Sequence, residues 1–341
     1  MAKRDFLKRL GPGIVTGAAD DDPSGIGTYT SVGATAGYGF LWSAVWLLPF
    51  AYVVQESCAR LALVTGKGLA AVIKSRMPRW VLVLAVLLVA IANTVNIAAN
   101  LSIMSAALGL LVPIETGLGV VMFALVLGFT EIVIPYHRYA KVLRWLCLSL
   151  LAYVAVLFVA QVDWQQVLVS TVIPSFDFSK LSFELLIALA GTTISPYLFF
   201  WQAAEEVEDR RNHHIMNVRP QALTAMRGDV FAGMFTGVFI MFSIMATAAA
   251  TLHAQGITEV NSAADAALAL KPIAGEFASL LFLLGILGVG LLSIPVLAGS
   301  TAYAVAETFG WRESLELKPR QAKAFYAVIV CSMLVALALN L

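Results

Sequence analysis

The chain has 341 residues, of which 60% are apolar and 13% charged, and it carries a formal net charge of +1. Soluble domains run at roughly 45–50% apolar and 25% charged, so a mean hydropathy of +0.85 excludes a soluble protein and marks an all-α polytopic membrane protein. The sequence holds no nucleotide-binding glycine loop, no HExxH pair and no nucleophile elbow, so neither a soluble-type active site nor a cofactor nor a nucleic-acid partner is expected.

A helix that crosses a bilayer needs roughly 20 mainly apolar residues. By that measure a basic stretch, 1–10, with no signal-peptide cleavage site after it, is followed by nine candidate spans. They lie at 11–35 (interrupted), 38–64, 80–107, 118–135, 139–162, 182–204 (interrupted), 229–252, 274–308 and 321–341. With a cytoplasmic N-terminus, all but Lys180 and Lys271 of the 22 Lys and Arg residues fall on the inner side. That asymmetry follows the positive-inside rule and predicts a multi-pass protein of the plasma (inner) membrane. Splitting 274–308 at Pro295 would move Arg312, Lys318, Arg320 and Lys323 outside, so it is read as one long, tilted helix. Ala298, Gly299 and Ser300 would let a neighbour pack closely against it.

The first and sixth spans are each interrupted by proline and small residues: Asp22-Pro23-Ser24-Gly25, and Gly191-Thr192-Thr193-Ile194-Ser195-Pro196-Tyr197. Irregular backbone at membrane depth survives only inside protein or beside a wet cavity. Proline frees carbonyl groups, and two such breaks five spans apart are the pattern of inverted-repeat transporters with a midplane site. A carboxylate at that depth is costly and marks an ion or substrate path. Asp20 and Asp21 are read either as helix caps in an aqueous vestibule or as cation ligands; Asp22, directly before the proline, is read as a ligand. A carboxylate, freed carbonyls and the Ser195 hydroxyl suit a hard divalent cation.

Other polar features read more plainly. EEVEDRRNHH at 205–214 is expected to be a solvated loop of mixed charge, with His213 and His214 exposed. Glu56 is expected to pair with Arg60 one helical turn on, and Glu131 to sit beside the inner basic loop. Trp80, Trp145, Trp201 and Trp311 are expected as interface anchors. Cys58, Cys147 and Cys331 read as inert buried thiols.

The first-span stretch GPGIVTGAADDDPSGIGTYTSVGATAGYGFLW resembles the first-helix signature of the Nramp family of divalent metal transporters. There a GPG start leads to an Asp-Pro-Gly-Asn break. LVTGKGLA at 63–70 is similar to the loop after the family's second span. ALAGTTISPYLFFWQAAEE at 188–206 is similar to the sixth-helix motif, and LFLLGILGVGLLSIPVLAGSTAYAVAETF to the eighth helix. The resemblance implies an inverted-repeat (LeuT-like) transporter fold and alternating access, with repeats at 11–162 and 182–341. Ten spans are needed and nine are read, so the second repeat is expected to lack its last helix.

Position by position, the resemblance puts Asp22 on the metal-binding aspartate, Gly25 on the binding asparagine and Ser195 on the binding methionine. Ala19 and Thr192 fall where carbonyls face the ion, Asp21 stands beside the site, and Tyr197 replaces a histidine. Losing the thioether removes a soft ligand, and a roomier oxygen-only site suits a partly hydrated ion such as magnesium. Asn93 and Asn96 align with two carboxylates of proton-coupled members, and asparagine relays no proton. The resemblance is therefore closest to the Nramp-related magnesium transporters. The alternatives are a sodium-coupled carrier of an amino acid or other organic solute, which three aspartates would repel, and a truncated, non-transporting homologue. An intramembrane hydrolase lacks a second carboxylate opposite Asp22.

Overall fold

The computed structural model describes residues 12–134, 151–159, 162–212, 218–260 and 263–341. The basic N-terminus, Trp145, Cys147, His213, His214 and most of the fifth predicted span lie outside them. The described residues are helical throughout: α1 (Pro12–Asp20), α2 (Pro23–Ala36), α3 (Trp42–Thr65), α4 (Leu69–Arg76), α5 (Arg79–Leu111), α6 (Thr116–Val133) and α7 (Leu151–Val159) come first. They are followed by α8 (Trp164–Val172), α9 (Lys180–Thr193), α10 (Pro196–Asn212), α11 (Pro220–Thr251), α12 (Ala263–Phe309) and α13 (Lys323–Ala338).

Among the described residues, six helical stretches are long and apolar enough to cross a membrane: Trp42–Thr65, Arg79–Leu111, Thr116–Val133, Lys180–Arg211, Pro220–Gln255 and Leu280–Phe309. The two halves of the first predicted span are too short singly, and α13 is an apolar helix of 16 residues. Pro295 does not end α12, which runs unbroken for 47 residues. At 1.5 Å per residue that is roughly 70 Å, about twice a bilayer's apolar core.

The helices start and stop where their chemistry dictates. Asp22 caps α2, with Pro23 at the first helical position, where a missing N–H costs nothing. Proline likewise opens α10 and α11. Gly66 ends α3 in the left-handed conformation, φ 67°, which favours glycine. The Arg210 guanidinium then donates to the orphan carbonyls of Leu63 at 2.7 Å and Val64 at 3.1 Å.

The core is built around α11 and α12. Leu297, Ala298 and Ser300 of α12 are fully buried. A Cβ on Gly299 would come within 2.6 Å of the Trp201 ring. Trp201 is thus 1% exposed, and its expected place at the interface is corrected: the indole fills the space that the missing glycine side chain leaves. Trp80 and Trp311 are exposed, as anchors should be. Cys58 is buried and Cys331 exposed, so the expectation of buried thiols fails at Cys331. Outward-facing Trp46, Phe50, Leu87, Leu88 and Ile91 supply an apolar flank.

Helix α1 crosses α11 with their backbones in close contact. A Cβ on Gly17 would strike the Gly233 backbone, and one on Gly233 the Gly13 carbonyl. Small residues four apart on both partners permit such a crossing. The crossing is locked at its end by Gly13, whose N–H donates to Asp229 Oδ2 at 2.6 Å. Helix α4, the short connector between α3 and α5, docks on the end of α12. Its first turn has no cap of its own. Glu307 of α12 supplies one, accepting from the Ala71 N–H at 2.9 Å, while Lys74 donates to the Thr308 carbonyl at 2.7 Å.

The stretch at 205–214 corrects an expectation. Up to Asn212 it is helix, and Glu205, Glu206 and Glu208 are buried. Glu208 accepts from the Tyr303 hydroxyl at 3.0 Å and Glu206 from Gln202 at 3.0 Å. The carboxylates turn inward because α12 and the 310–322 connection lie against this half-helix. Glu56 does pair with Arg60, at 3.4 Å, and also takes Arg227 of α11 at 2.8 Å. Neither oxygen of Glu131 has a partner among the described residues.

Two predictions follow from packing and burial. Gly17→Val forces the α1–α11 backbones apart, so detergent-solubilised protein should lose its cooperative thermal transition, while Gly191→Ala, with open space around it, should keep it. In the connection after α12, burial, with Glu307 adding, pushes Glu313 up to about 8 from the ordinary 4.5. The folded chain then holds a proton that the unfolded chain releases, so stability is full below about pH 4.5 and falls as pH rises through 8. Glu313→Gln should raise the melting temperature at pH 8 and leave it unchanged at pH 4.

Candidate cation site at the two helix breaks

The two interrupted helices meet. Asp22 sits between α1 and α2, and Ile194 and Ser195 between α9 and α10. A Cβ built on Gly25 would lie 3.1 Å from both Asp22 Oδ1 and Thr192 Cγ2, and 3.3 Å from the Asp20 carbonyl. Any side chain at 25 would stand in this gap, so the glycine leaves room where the two breaks face each other.

A cavity of about 600 Å³ opens beside them. Its polar wall is Asp20, Asp22, Ser24, Asn93, Asn96, Thr192, Ser195 and Tyr197; its apolar wall includes Leu88, Val89 and Ala92 from the middle of α5. Among the residues lining it there is no Met, Cys or His. Every side-chain donor it offers to an ion is an oxygen, the set that hard divalent cations take.

Of the residues singled out from sequence, Asp20, Asp22, Asn93, Asn96, Thr192, Ser195 and Tyr197 line this cavity, and Ala19, Asp21 and Gly25 do not. Asp22 is 2% exposed. Its Oδ1 accepts from the Gly25 N–H at 2.7 Å, and its Oδ2 from Asn96 and Asn100, each at 2.9 Å. The carboxylate is thus at once the cap of α2 and a wall of the cavity.

The other members are engaged differently. The Ser195 hydroxyl donates back to the Thr192 carbonyl at 2.6 Å, and the Tyr197 hydroxyl donates to the Ala19 carbonyl at 2.8 Å. Both carbonyls expected to face an ion already accept a bond inside the protein, each keeping a second lone pair.

The three aspartates take separate places. Asp20, the last residue of α1, lines the cavity with Asp22. Asp21 is fully buried away from it, and neither of its oxygens has a hydrogen-bond partner among the described residues.

Helix α5 presents three asparagines on one face. Asn93 donates to the hydroxyls of Ser300 and Thr301, each at 2.9 Å, and lies 3.2 Å from the Leu297 carbonyl. It ties α5 to α12, as an interhelical polar residue does. Asn96 and Asn100 reach Asp22. Sequence reasoning missed Asn100 and Ser24. The signal for Asn100 was its spacing of four from Asn96 and seven from Asn93, which puts all three on one helical face.

Residues 13–341 match the family described as Natural resistance-associated macrophage protein-like. The divalent metal cation transporter MntH of Erwinia tasmaniensis is 29% identical over 300 residues, which cover 84% of this chain and 69% of the relative. Among solved structures, the manganese transporter of Eremococcus coleocola bound to an aromatic bis-isothiourea compound superposes with a TM-score of 0.77 at 19% identity. That match covers 99% of this chain and 77% of the other. A mutant of the same transporter gives 0.73 at 18% identity, over 100% of this chain and 78% of the other. At such identities the superposition is a likeness of fold.

Tyr197→Phe removes the hydroxyl that satisfies the buried Ala19 carbonyl. A loss of about 1 kcal/mol is expected, read as a lower melting temperature in detergent with the helical content unchanged.

Proposed function

Since this chain belongs to the Nramp family, we propose that it carries divalent metal cations across the membrane by alternating access, with the ion held at the two helix breaks. The observation that carries this reading is the Asp22 carboxylate, placed at a break and facing an all-oxygen cavity. The substrates of its relatives, a divalent metal cation and manganese, agree with it. The ion is the substrate, and the reading needs no cofactor and no enzymatic step.

The proposed ligands are Asp22, Ser195, the carbonyls of Thr192 and Ala19, and the space at Gly25, with Tyr197 beside them. Asp21 is fully buried and does not line the cavity, so it stands beside the ligand set in this reading. The cavity supports a hydrated ion: six waters occupy on the order of 180 Å³ in the liquid, well under the 600 Å³ available. Magnesium gives up its waters reluctantly, so a roomy oxygen site without a thioether favours magnesium and manganese, with ferrous iron a third substrate. Transport is not proton-coupled in this reading, because Asn93 and Asn96 are carboxamides. The N-terminus is cytoplasmic, in a plasma (inner) membrane, and the repeats are 11–162 and 182–341.

The test is manganese influx into proteoliposomes. We expect influx that excess magnesium suppresses, that Asp22→Ala abolishes, and that a pH-sensitive dye finds unaccompanied by protons. Intact influx in Asp22→Ala would overturn the site; proton influx with the metal would overturn the uncoupled mechanism. Ser195→Met should shift preference toward manganese or cadmium over magnesium by roughly the tenfold that 1.4 kcal/mol represents. An unchanged preference would mean that cavity size, not ligand type, sets selectivity.

A further inference from the structure

Two asparagines hold one oxygen of Asp22, and their surroundings differ. Asn100 is fully buried and does not line the cavity. Both ends of its carboxamide are used: Nδ2 donates to Asp22 Oδ2 at 2.9 Å, and Oδ1 accepts from the Ser24 N–H at 3.0 Å. It therefore grips the break twice, once by the carboxylate and once by the backbone two residues on. Asn96, one turn earlier on α5, is half-buried and lies on the cavity wall. Its Nδ2 donates to the same Oδ2 at 2.9 Å. Its Oδ1 has only the Ser24 hydroxyl, 2.6 Å away, and that hydroxyl also stands 2.9 Å from Asp22 Oδ1.

A carboxylate has about four acceptor positions. Here the two asparagines take both positions on Oδ2 and the Gly25 N–H takes one on Oδ1, while the single Ser24 proton is shared between Asn96 Oδ1 and Asp22 Oδ1. A cation that binds Asp22 through Oδ2 must displace a donor. The Gly25 N–H cannot leave without unwinding α2, and Asn100 cannot leave without orphaning the Ser24 N–H. Asn96 can: a rotation of its carboxamide breaks its bonds to Asp22 Oδ2 and to the Ser24 hydroxyl, and the freed Ser24 proton has Asp22 Oδ1 within reach.

We propose that the two asparagines have opposite roles in cation binding: Asn100 is a fixed positioning residue for Asp22, and Asn96 is the exchangeable donor that yields Oδ2 to the cation and turns its own Oδ1 into the ion's coordination sphere. This rests on Asp22 being a ligand, as proposed above. It adds Asn96 to the ligand set. The Asn96 N–H on Oδ2 then trades places with the ion, so the carboxylate stays oriented and satisfied between transport cycles. Groups that orient a ligand in this way are typically worth 10–100-fold in metal affinity.

The test is Mn2+ binding by titration calorimetry on the purified full chain at pH 8, with Mn2+ flux in proteoliposomes for the maximal rate. Asn100→Leu keeps the branched shape and removes the donor. Its Kd is expected to rise at least tenfold, with the saturating rate within twofold of the unsubstituted protein. Asn96→Asp removes the competing donor and keeps an oxygen in place. Its Kd is expected to fall at least tenfold, with a slower saturating rate because the ion leaves two carboxylates. A Kd within twofold of the unsubstituted protein in Asn100→Leu overturns the positioning role. Weaker binding in Asn96→Asp overturns the exchange, and this variant decides the proposal if Asn100→Leu does not fold. Unsubstituted protein that binds no Mn2+, or an Asp22→Ala that binds it equally well, overturns the site itself and the asparagine roles with it.

Discussion

A broken helix inside a membrane exposes backbone groups and, here, a carboxylate to a medium that cannot satisfy them, and the rest of this structure is arranged around that constraint. Asp22 meets it by turning its charge into the cap of the helix that follows, with the Gly25 N–H as first donor. Helix α5 completes the arrangement with carboxamides, which are neutral, carry two donors each and bring no competing charge. At the second break the backbone is satisfied more locally, by the Ser195 hydroxyl folding back onto Thr192. The two breaks are joined by one bond, Tyr197 to the Ala19 carbonyl. At Asp22 itself both oxygens of the carboxylate have named donors, and the arrangement is useful because some of those donors can be exchanged.

Around this centre the contacts differ in stiffness. The α1–α11 crossing is backbone against backbone, with no side chain to re-pack, so those helices move together or not at all. The α5–α12 contact is made through the Asn93 carboxamide and two hydroxyls, groups that can re-pair over short slides. Between α1 and α10 runs a buried polar line, Thr16 to Gln202 to Glu206, a seam that water can replace bond for bond if the helices part. Alternating access in transporters with discontinuous helices is largely the rocking of one bundle against another around a fixed site.

The breaks were legible because proline and small residues inside apolar runs have one physical meaning at membrane depth, and both fall where they were expected. The continuity of α12 through Pro295 followed from charge placement alone. What stayed hidden needed partners from distant segments. Glu205, Glu206 and Glu208 look solvated until Tyr303 and Gln202 are beside them. Trp201 looks like an interface anchor until Gly299, almost a hundred positions on, opens a place for it. At the site, the ligand types were readable one by one, whereas the hydrogen bonds that already occupy Thr192, Ala19 and Asp22 were not, since each depends on a rotamer or on a helix that the local sequence does not specify. The three adjacent aspartates are the sharpest case: one caps, one lines the cavity and one is sealed behind it, a division set by helix phase at the end of α1.

The cap that Glu307 provides to α4 has a consequence for how sequences of this fold can drift. A Cβ on Gly68 would fall on the Glu307 carboxylate itself. A side chain at 68 thus moves the Glu307 carboxylate off the α4 amides, and a shorter acid at 307 would leave those amides uncapped unless a capping residue arose at 68 in the same lineage. The two sites, 239 positions apart in the chain, form an epistatic pair: neither step is neutral alone, and homologues should divide into those with glycine and glutamate and those with a serine, threonine or aspartate at 68 and a small residue at 307, with few intermediates between them.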